Sequence, residues 1–372
     1  MTHFPPSPFP HTPPADRACP GPLRTRPAGQ QLRGPGELVA VLPGMLGFHP
    51  QMSLLLVALR GPTREIDLVV RSDLPDPVPE HPDSLEHFAT HLVAAVLRAE
   101  PEAVAIIVVS ESAAAADGDD PPPDPAAVSV VAERLGEVGI PLHSTLWASG
   151  TRPGDIWGCY RACRCRGEVP AAAAGAFAAG AALSGVVVHD DRQALLALVE
   201  PADHADIERR ELLMVAAIDR YSVTGGAPDP LVGWAAVARA VVEAMEGGLV
   251  LDDERVVALL VALGAPEVVD TAIGWMAVRA HEGAEQERAA AEQLWAALTR
   301  EAPEPEAAVP ASLLAVSALL RGDGALANVA LDRAQEAWPG YVLSLRLRAI
   351  AVLGVHPEEF RDGLLANLMR RR

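Results

Sequence analysis

The spacing of hydrophobic positions changes character near residue 190. Before that point, short unbroken apolar runs alternate with stretches of helical period; beyond it only the helical period persists. Glu37–Leu46 reads as a short helix bent by Pro43 and stopped by Gly47. Ser53–Leu59 is an unbroken apolar run, as expected of a strand buried on both faces. Gly61-Pro62 turns the chain, and Glu65–Leu74 then alternates, with Ile66, Leu68 and Val70 on one side. Asp83 and Glu86 have capping-box spacing at the head of a helix reaching Arg98, in which Leu85, Phe88, Leu92 and Val96 form one stripe. Ala103–Val109 is a second buried strand, 126–138 a helix and Pro141–Trp147 a strand. A turn over Gly150–Gly154 leads into a strand at Ile156–Tyr160. This α-β-β-α-β-α-β-β order predicts an α/β domain over 37–190, a mixed sheet with helices packed on it.

From 191 to 372 the pattern predicts an all-α domain. Asp190 and Asp191 open a helix, and helical periods follow at 203–222, 229–246, 252–263, 266–280 and 284–300. The stretch 308–368 reads as helical hairpins, with Pro310–Leu320 and Asp323–Trp338 separated by Gly322 and the second ended by Pro339-Gly340. Over 308–356 the pattern is tetratricopeptide-like. Leu314, Ala327, Ala334 and Pro339 fall on signature positions of the roughly 34-residue unit, whereas the aromatic and glycine positions of its first helix are not matched. Residues 1–36 hold ten prolines and almost no periodicity, and read as a disordered tail outside the fold. Ala113–Ala127, containing DGDDPPPDP, reads as a solvated acidic loop.

Composition narrows the chemistry. The 372 residues carry a net charge of −19, and all thirty basic residues are arginine. Without lysine there is no P-loop lysine, no Schiff-base or pyridoxal-phosphate anchor and no kinase phosphate-pairing lysine. The acidic balance argues against nucleic acid as a partner, since backbone binding needs a basic surface. Four cysteines, three of them within seven residues, do not read as a disulfide framework, and with no basic n-region and no apolar h-region at the N-terminus no signal peptide is expected. The uncharged run Ala171–Val188 is mostly alanine and glycine, so a packed helix is expected there rather than a membrane span. A cytoplasmic protein is the expectation.

Three stretches, LGFHPQMSLLLVALRG (Leu46–Gly61), RSDLP (Arg71–Pro75) and GDGALANVALDRA (Gly322–Ala334), resemble the actinobacterial family called domain of unknown function 4192, over about 37 to 360. The resemblance implies no activity. Other members follow the Trp-Tyr stretch with a cysteine, an acidic pair and adjacent cysteines before prolines; here it reads WGCYRACRCRGEVP, shorter and differently spaced.

Two groups of residues invite chemistry. Around the GFHP loop, Gly47, His49 and Ser53 adjoin a buried strand, Arg71 and Asp73 lie two apart at the end of the next strand, and Ser110 and Glu111 follow Ala103–Val109. Arginine can hold a carboxylate or phosphate in a fork, histidine can move a proton, and ligands of open α/β sheets gather beyond strand carboxyl ends. The competing reading makes Gly47 a helix cap, His49 a partner of a neighbouring loop's backbone, and Arg71 and Asp73 a solvated pair with Arg60 or Glu65. The second group is Cys159, Cys163 and Cys165, interleaved with arginines. They could bind zinc with His143, His189 or Glu168 as fourth ligand, act as a redox switch, or be plain thiols. His87 and His91 are spaced i, i+4, but HFATH lacks the glutamate of a zincin motif, and a solvated helix face is expected. The tryptophans at 234, 275, 295 and 338 are expected in helix contacts. No nucleophile elbow is present. The reading favoured by the sequence is a non-catalytic interaction or regulatory module with a protein partner. The alternatives are a small-molecule-binding or catalytic pocket at the GFHP loop and a cysteine-cluster metal protein.

Overall fold

A computed structural model describes residues 23–25, 31–75, 84–111, 122–161, 163, 165–172, 187–224 and 229–371. The chain divides into two compact units, Met1–Ala182 and Leu183–Arg372. Asp83, most of the acidic loop and most of the Ala171–Val188 run lie outside the described residues.

The first unit holds one mixed sheet of eight strands: β1 (Leu23–Thr25), β2 (Gln31–Leu32), β3 (Ser53–Arg60), β4 (Glu65–Asp73), β5 (Ala103–Val109), β6 (Leu142–Ala148), β7 (Ile156–Cys159) and β8 (Arg166–Glu168). Their order is β2-β1-β4-β3-β5-β6-β7-β8. β3 runs antiparallel to both neighbours, placing Leu56 opposite Val70 and Ile106, while β5 and β6 are parallel and joined through a helix. β3 is buried from Ser53 to Leu59 and β5 throughout, so both sheet faces need a cover. On one face α2 (Ser84–Leu97) and α3 (Pro125–Glu137) supply Leu92, Val93, Val96, Val128, Val131 and Leu135 against Leu54, Leu56, Ile106 and Val108. Across the sheet lies α1 (Pro35–Leu46), whose Leu38 lines a small cavity with Ser144 and Leu146 of β6. Gly47 ends α1 in the left-handed region (φ 76°), where its N–H donates to the Pro43 carbonyl at 2.8 Å; glycine suits this cap because a Cβ would be strained.

Two expectations need correction. The proline-rich tail read as outside the fold contributes β1 and β2: β1 pairs parallel with β4, setting Thr25 beside Ile66, and Thr25 and Leu32 are buried. The strand β8 was not expected either. At three residues, it is too short to show a period.

The second unit is helical: α4 (Arg192–Leu196), α5 (His204–Thr224), α6 (Pro230–Met245), α7 (Asp253–Leu263), α8 (Pro266–Glu282), α9 (Glu285–Glu301), α10 (Ala308–Arg321), α11 (Gly324–Ala337), α12 (Val342–Val352) and α13 (Pro357–Arg371). Helix α10 is buried almost all round and packs against α8, α9, α11, α12 and α13, so it is the core of this unit. Trp295 of α9 is fully buried, and its indole N–H donates to the Met276 sulfur at 3.3 Å. Asp191, Asp229, Asp252 and Asp323 cap α4, α6, α7 and α11, each accepting a backbone N–H of the first turn. Among the described residues no single helix is long and apolar enough to cross a membrane.

Arg210 of α5 is almost fully buried and joins three helices. Its guanidinium lies 2.9 Å from Asp253 at the start of α7 and 2.5 Å from Glu301 at the end of α9. Hydrogen bonding from Arg209 is the main influence on Asp253, and it holds that carboxyl below the usual carboxylate range although burial pushes the other way.

Ile106→Ala removes a fully buried side chain from the centre of β5 and should cost about 2–5 kcal/mol in urea unfolding, whereas Val138→Ala at the exposed end of α3 should cost under ~0.5 kcal/mol. Arg210→Met should cost about 1.5–3 kcal/mol, because two carboxylates lose a charged donor. Asp253 has a depressed pKa in the folded state, so its contribution is complete above the unfolded carboxylate pKa of about 3.9 and is lost as pH falls through the folded value. Stability measured down through that acid range should fall less steeply in Asp253→Asn than in the parent chain.

Candidate functional site

The GFHP loop, the start of β3 and the ends of β4, β5 and β6 meet at one end of the sheet, beyond the carboxyl ends of the mutually parallel strands β4, β5 and β6. Register puts Ser53 between Asp73 and Val109. The Ser53 hydroxyl donates to the Gln51 carbonyl (2.6 Å) and accepts from Arg71 Nε (2.8 Å), and the Arg71 guanidinium also pairs with Asp73. Arg71 is mostly buried, lies 5.9 Å from the Phe48 ring and holds the far end of β4 against the loop; Asp73 is exposed. The solvated pairing with Arg60 or Glu65 does not form: Arg60 faces Asp67 and Glu100.

His49 is half-buried, and its Nδ1 lies 2.8 Å from the hydroxyl of Thr151 in the β6–β7 loop. This contact is with a side chain of a neighbouring loop. Thr151 is buried and lies 102 positions away, so no local pattern marks it. Ser110 is buried, with its hydroxyl 3.6 Å from the Met52 sulfur, and Met52 takes a left-handed backbone (φ 41°). Glu111 follows β5 and is exposed. The structure thus joins Ser53, Arg71 and Asp73 in one network, ties His49 to Thr151 at the same end of the sheet, and keeps Gly47 as a helix cap.

The second group stands on the hairpin of β7 and β8. Cys159 is buried at the end of β7, and its N–H donates to the Cys165 carbonyl at 2.9 Å. Cys163 and Cys165 are half-buried, and the three sulfurs lie within 4.8 Å of one another. None is in a disulfide. The hairpin is anchored on both sides. Arg161 donates to the carbonyls of Leu142 and His143, each at 3.1 Å, and the Tyr160 hydroxyl donates to the Pro123 carbonyl. Burial, with Asp124 adding to it, raises the Tyr160 phenol above its ordinary range. Trp147 crosses the neighbouring strand at Gly158, where a Cβ would come within 2.5 Å of the indole.

The proposed fourth ligands have other surroundings or lie in the other unit. The buried His143 ring contacts Arg64, Glu168 is exposed on β8, and His189 belongs to the second unit. His87 and His91 meet with ring centres 4.2 Å apart and their planes tilted by 53°, on the exposed side of α2. Trp234 and Trp275 pack together at 6.2 Å. Trp338 departs from the expected helix contact: it is half exposed and stacks on Tyr341.

A further polar cluster escaped the sequence. Arg321 at the end of α10 reaches Glu292 of α9 (2.7 Å) and Asp323, the cap of α11 (2.8 Å). Its signal was present in RGDG, but a short charged stretch between helices reads equally as a solvated turn. These charges join helices, and Gly322 supplies the left-handed bend between them (φ 84°).

Thr151→Val removes the hydroxyl that His49 meets while keeping the shape of the side chain. We expect a loss of about 0.5–1.5 kcal/mol and a moved His49 ring resonance, with the sheet amides of β3 and β5 unchanged in nuclear magnetic resonance spectra.

No curated protein and no solved structure matches the chain. Ser53, Arg71 and Asp323 lie in the stretches Leu46–Gly61, Arg71–Pro75 and Gly322–Ala334 that carry the resemblance seen in the sequence, and Arg321 immediately precedes the last of them. A family model described as a domain of unknown function, DUF4192, matches residues 35–358, and the chain belongs to that family.

Proposed function

We propose that the protein is a non-catalytic interaction module that seats an α-helix of a partner protein on the outer face of α12. The observation that carries this reading is an apolar stripe left exposed along one side of the helix. The sequence of α12, VLSLRLRAIAV, is apolar around most of its circumference, as expected of a helix covered on more than one side. Only one side is covered: Ser344 and Leu347 are buried, while α12 packs on α10 and α11. The opposite side presents Val342 (58% exposed), Leu345 (48%), Ala349 and Val352, with Leu353 (65%) at its end and the Trp338–Tyr341 stack at its beginning.

Steps of three, four and three residues between Val342, Leu345, Ala349 and Val352 form the seam of a helix that packs lengthwise on another helix. Arg346 and Arg348 flank the seam. A second copy laid antiparallel on it would bring arginine against arginine, and a parallel one would leave both arginines without an acidic partner, so the charges favour a partner helix with acidic residues beside its own apolar seam. Arg348 is already bonded to Asn328 (3.0 Å) and Asp332, which leaves Arg346 as the more available of the two. A cytoplasmic protein partner fits this reading, and the stacked helix pairs of 308–356 supply the scaffold, as in tetratricopeptide-like modules.

The test uses the full chain and a synthetic amphipathic helix with leucines along its seam and glutamates on its flanks. We expect binding that weakens with added salt and falls at least about ten-fold in Leu345→Glu, the loss of roughly 1.4 kcal/mol expected when a central apolar contact is removed. A lysine-flanked version of the peptide should bind more weakly. Equal binding by both peptides, or indifference to Leu345→Glu, would defeat the reading. A dimer in sedimentation that Leu345→Glu dissolves would replace the partner helix with a second copy.

A further inference from the structure

The three cysteines of the β7–β8 hairpin carry an inference independent of the α12 face. Their positions are set by backbone pairing. Cys159 ends β7, Cys165 immediately precedes β8, and the hydrogen bond from Cys159 N–H to the Cys165 carbonyl locks the two ends together, with Cys163 on the turn between them. One short hairpin therefore aims three sulfurs at a common point, all within 4.8 Å of one another. Zinc–sulfur bonds of about 2.3 Å put two thiolates of a tetrahedral site ~3.8 Å apart. The sulfurs are therefore within about 1 Å of that spacing.

Charge suits an ion as well. A divalent ion with three thiolates carries one net negative charge, and the hairpin brings two arginines with it. Arg161 is fastened to the Leu142 and His143 carbonyls, and Arg166 lies over the Trp147 ring at 5.1 Å. Cys159 is walled off from solvent and the other two are half-buried, so a bound ion would be partly shielded from water. Among the described residues no histidine, carboxylate or further cysteine completes the group.

We infer that Cys159, Cys163 and Cys165 hold one thiophilic divalent ion, zinc, through three thiolates, with a fourth position open to water or a small exogenous ligand. Each thiol gives its proton to solvent and a sulfur electron pair to the ion, so three protons leave per ion bound and nothing is oxidised or reduced. An open fourth position distinguishes this arrangement from a closed structural site and is the coordination found where zinc handles a substrate or a transferred ligand.

The experiment uses the full chain, reduced and freed of metal, titrated with Zn2+ and with Co2+ as a spectroscopic substitute. The expected result is one ion per chain, a cobalt–thiolate charge-transfer band with tetrahedral visible bands, and an affinity that rises with pH. With zinc bound, three of the four cysteines should resist alkylation. Cys163→Ser and Cys165→Ser should each weaken binding at least about ten-fold, or ~1.4 kcal/mol, while Cys19→Ser should leave it unchanged. Because Cys159 is buried, Cys159→Ser is judged only if its circular dichroism matches the parent's, and the alkylation pattern tests that thiol without a substitution. Cobalt binding with no thiolate band, zinc that leaves all four thiols reactive, or unchanged affinity in both Cys163→Ser and Cys165→Ser would overturn the site. Loss of binding in Cys19→Ser would overturn the open fourth position.

Discussion

Two adjacent strands with no charge in their buried lengths, β3 from Ser53 to Leu59 and β5 from Ala103 to Val109, set the terms for the first unit. Side chains alternate across a sheet, so burying both sets demands a layer on each side. On one side α2 and α3 meet the even-numbered residues Leu54, Leu56, Ile106 and Val108. On the other, α1 must be held in place, and its anchors lie at the sheet margins: the Gly47 cap below it and the short strands β1 and β2 before it. The same demand accounts for the polar network at the sheet end. The chain enters β3 straight from the loop that leaves α1, so Ser53 is buried at once, and its hydroxyl needs the Gln51 carbonyl and Arg71 as partners. A group that looks like a ligand site in the sequence is, first, what burial of β3 requires.

That relation explains which parts of the fold were legible. Long elements with a clear period declared themselves: β3, β4, β5, α2, α3 and the helices from α5 to α11 lie within a few residues of the ranges read from hydrophobic spacing. What was hidden depends on partners distant in sequence. Leu23–Thr25 is a strand because β4 offers it an edge, not because three residues among prolines prefer to be extended. Thr151 meets His49 because β6 ends beside β3's entry, a fact of strand order. Trp338 was misplaced for the opposite reason: an aromatic at helical spacing suggests a core, and spacing cannot tell a covered face from an uncovered one.

The helical unit shows what a chain without lysine does at its helix joints. Arg210, Arg321 and Arg333 are all nearly buried, and each spans between helices or between a helix and the loop before one: Arg210 to Asp253 and Glu301, Arg321 to Glu292 and Asp323, Arg333 to Glu304. A planar guanidinium can meet two acceptors in different directions, whereas an ammonium is a point charge that gives up more hydration on burial. The arrangement has a cost. Burial raises the Glu292 carboxyl even though Arg321 pulls it down, so this pair is held for geometry more than for energy. Removing one partner leaves a buried charge unmatched, which couples the end of α10 to the start of α11 and to α9.

Two of the three stretches of family resemblance can therefore be understood as joints. LGFHPQMSLLLVALRG turns α1 into β3, and GDGALANVALDRA turns α10 into α11; in each, a left-handed glycine and a buried polar contact direct the chain. Features placed at joints constrain the fold whatever the protein binds. Features free of that duty are better guides to function. The outer side of α12 is one, since Leu345 and Val342 contribute nothing to the core while exposed to water. The sulfurs of the β7–β8 hairpin are another: the hairpin is closed by its backbone pairing, by Arg161 and by Tyr160, and three thiols converge at its tip. Convergence of three thiols on one point is what a bound ion would use.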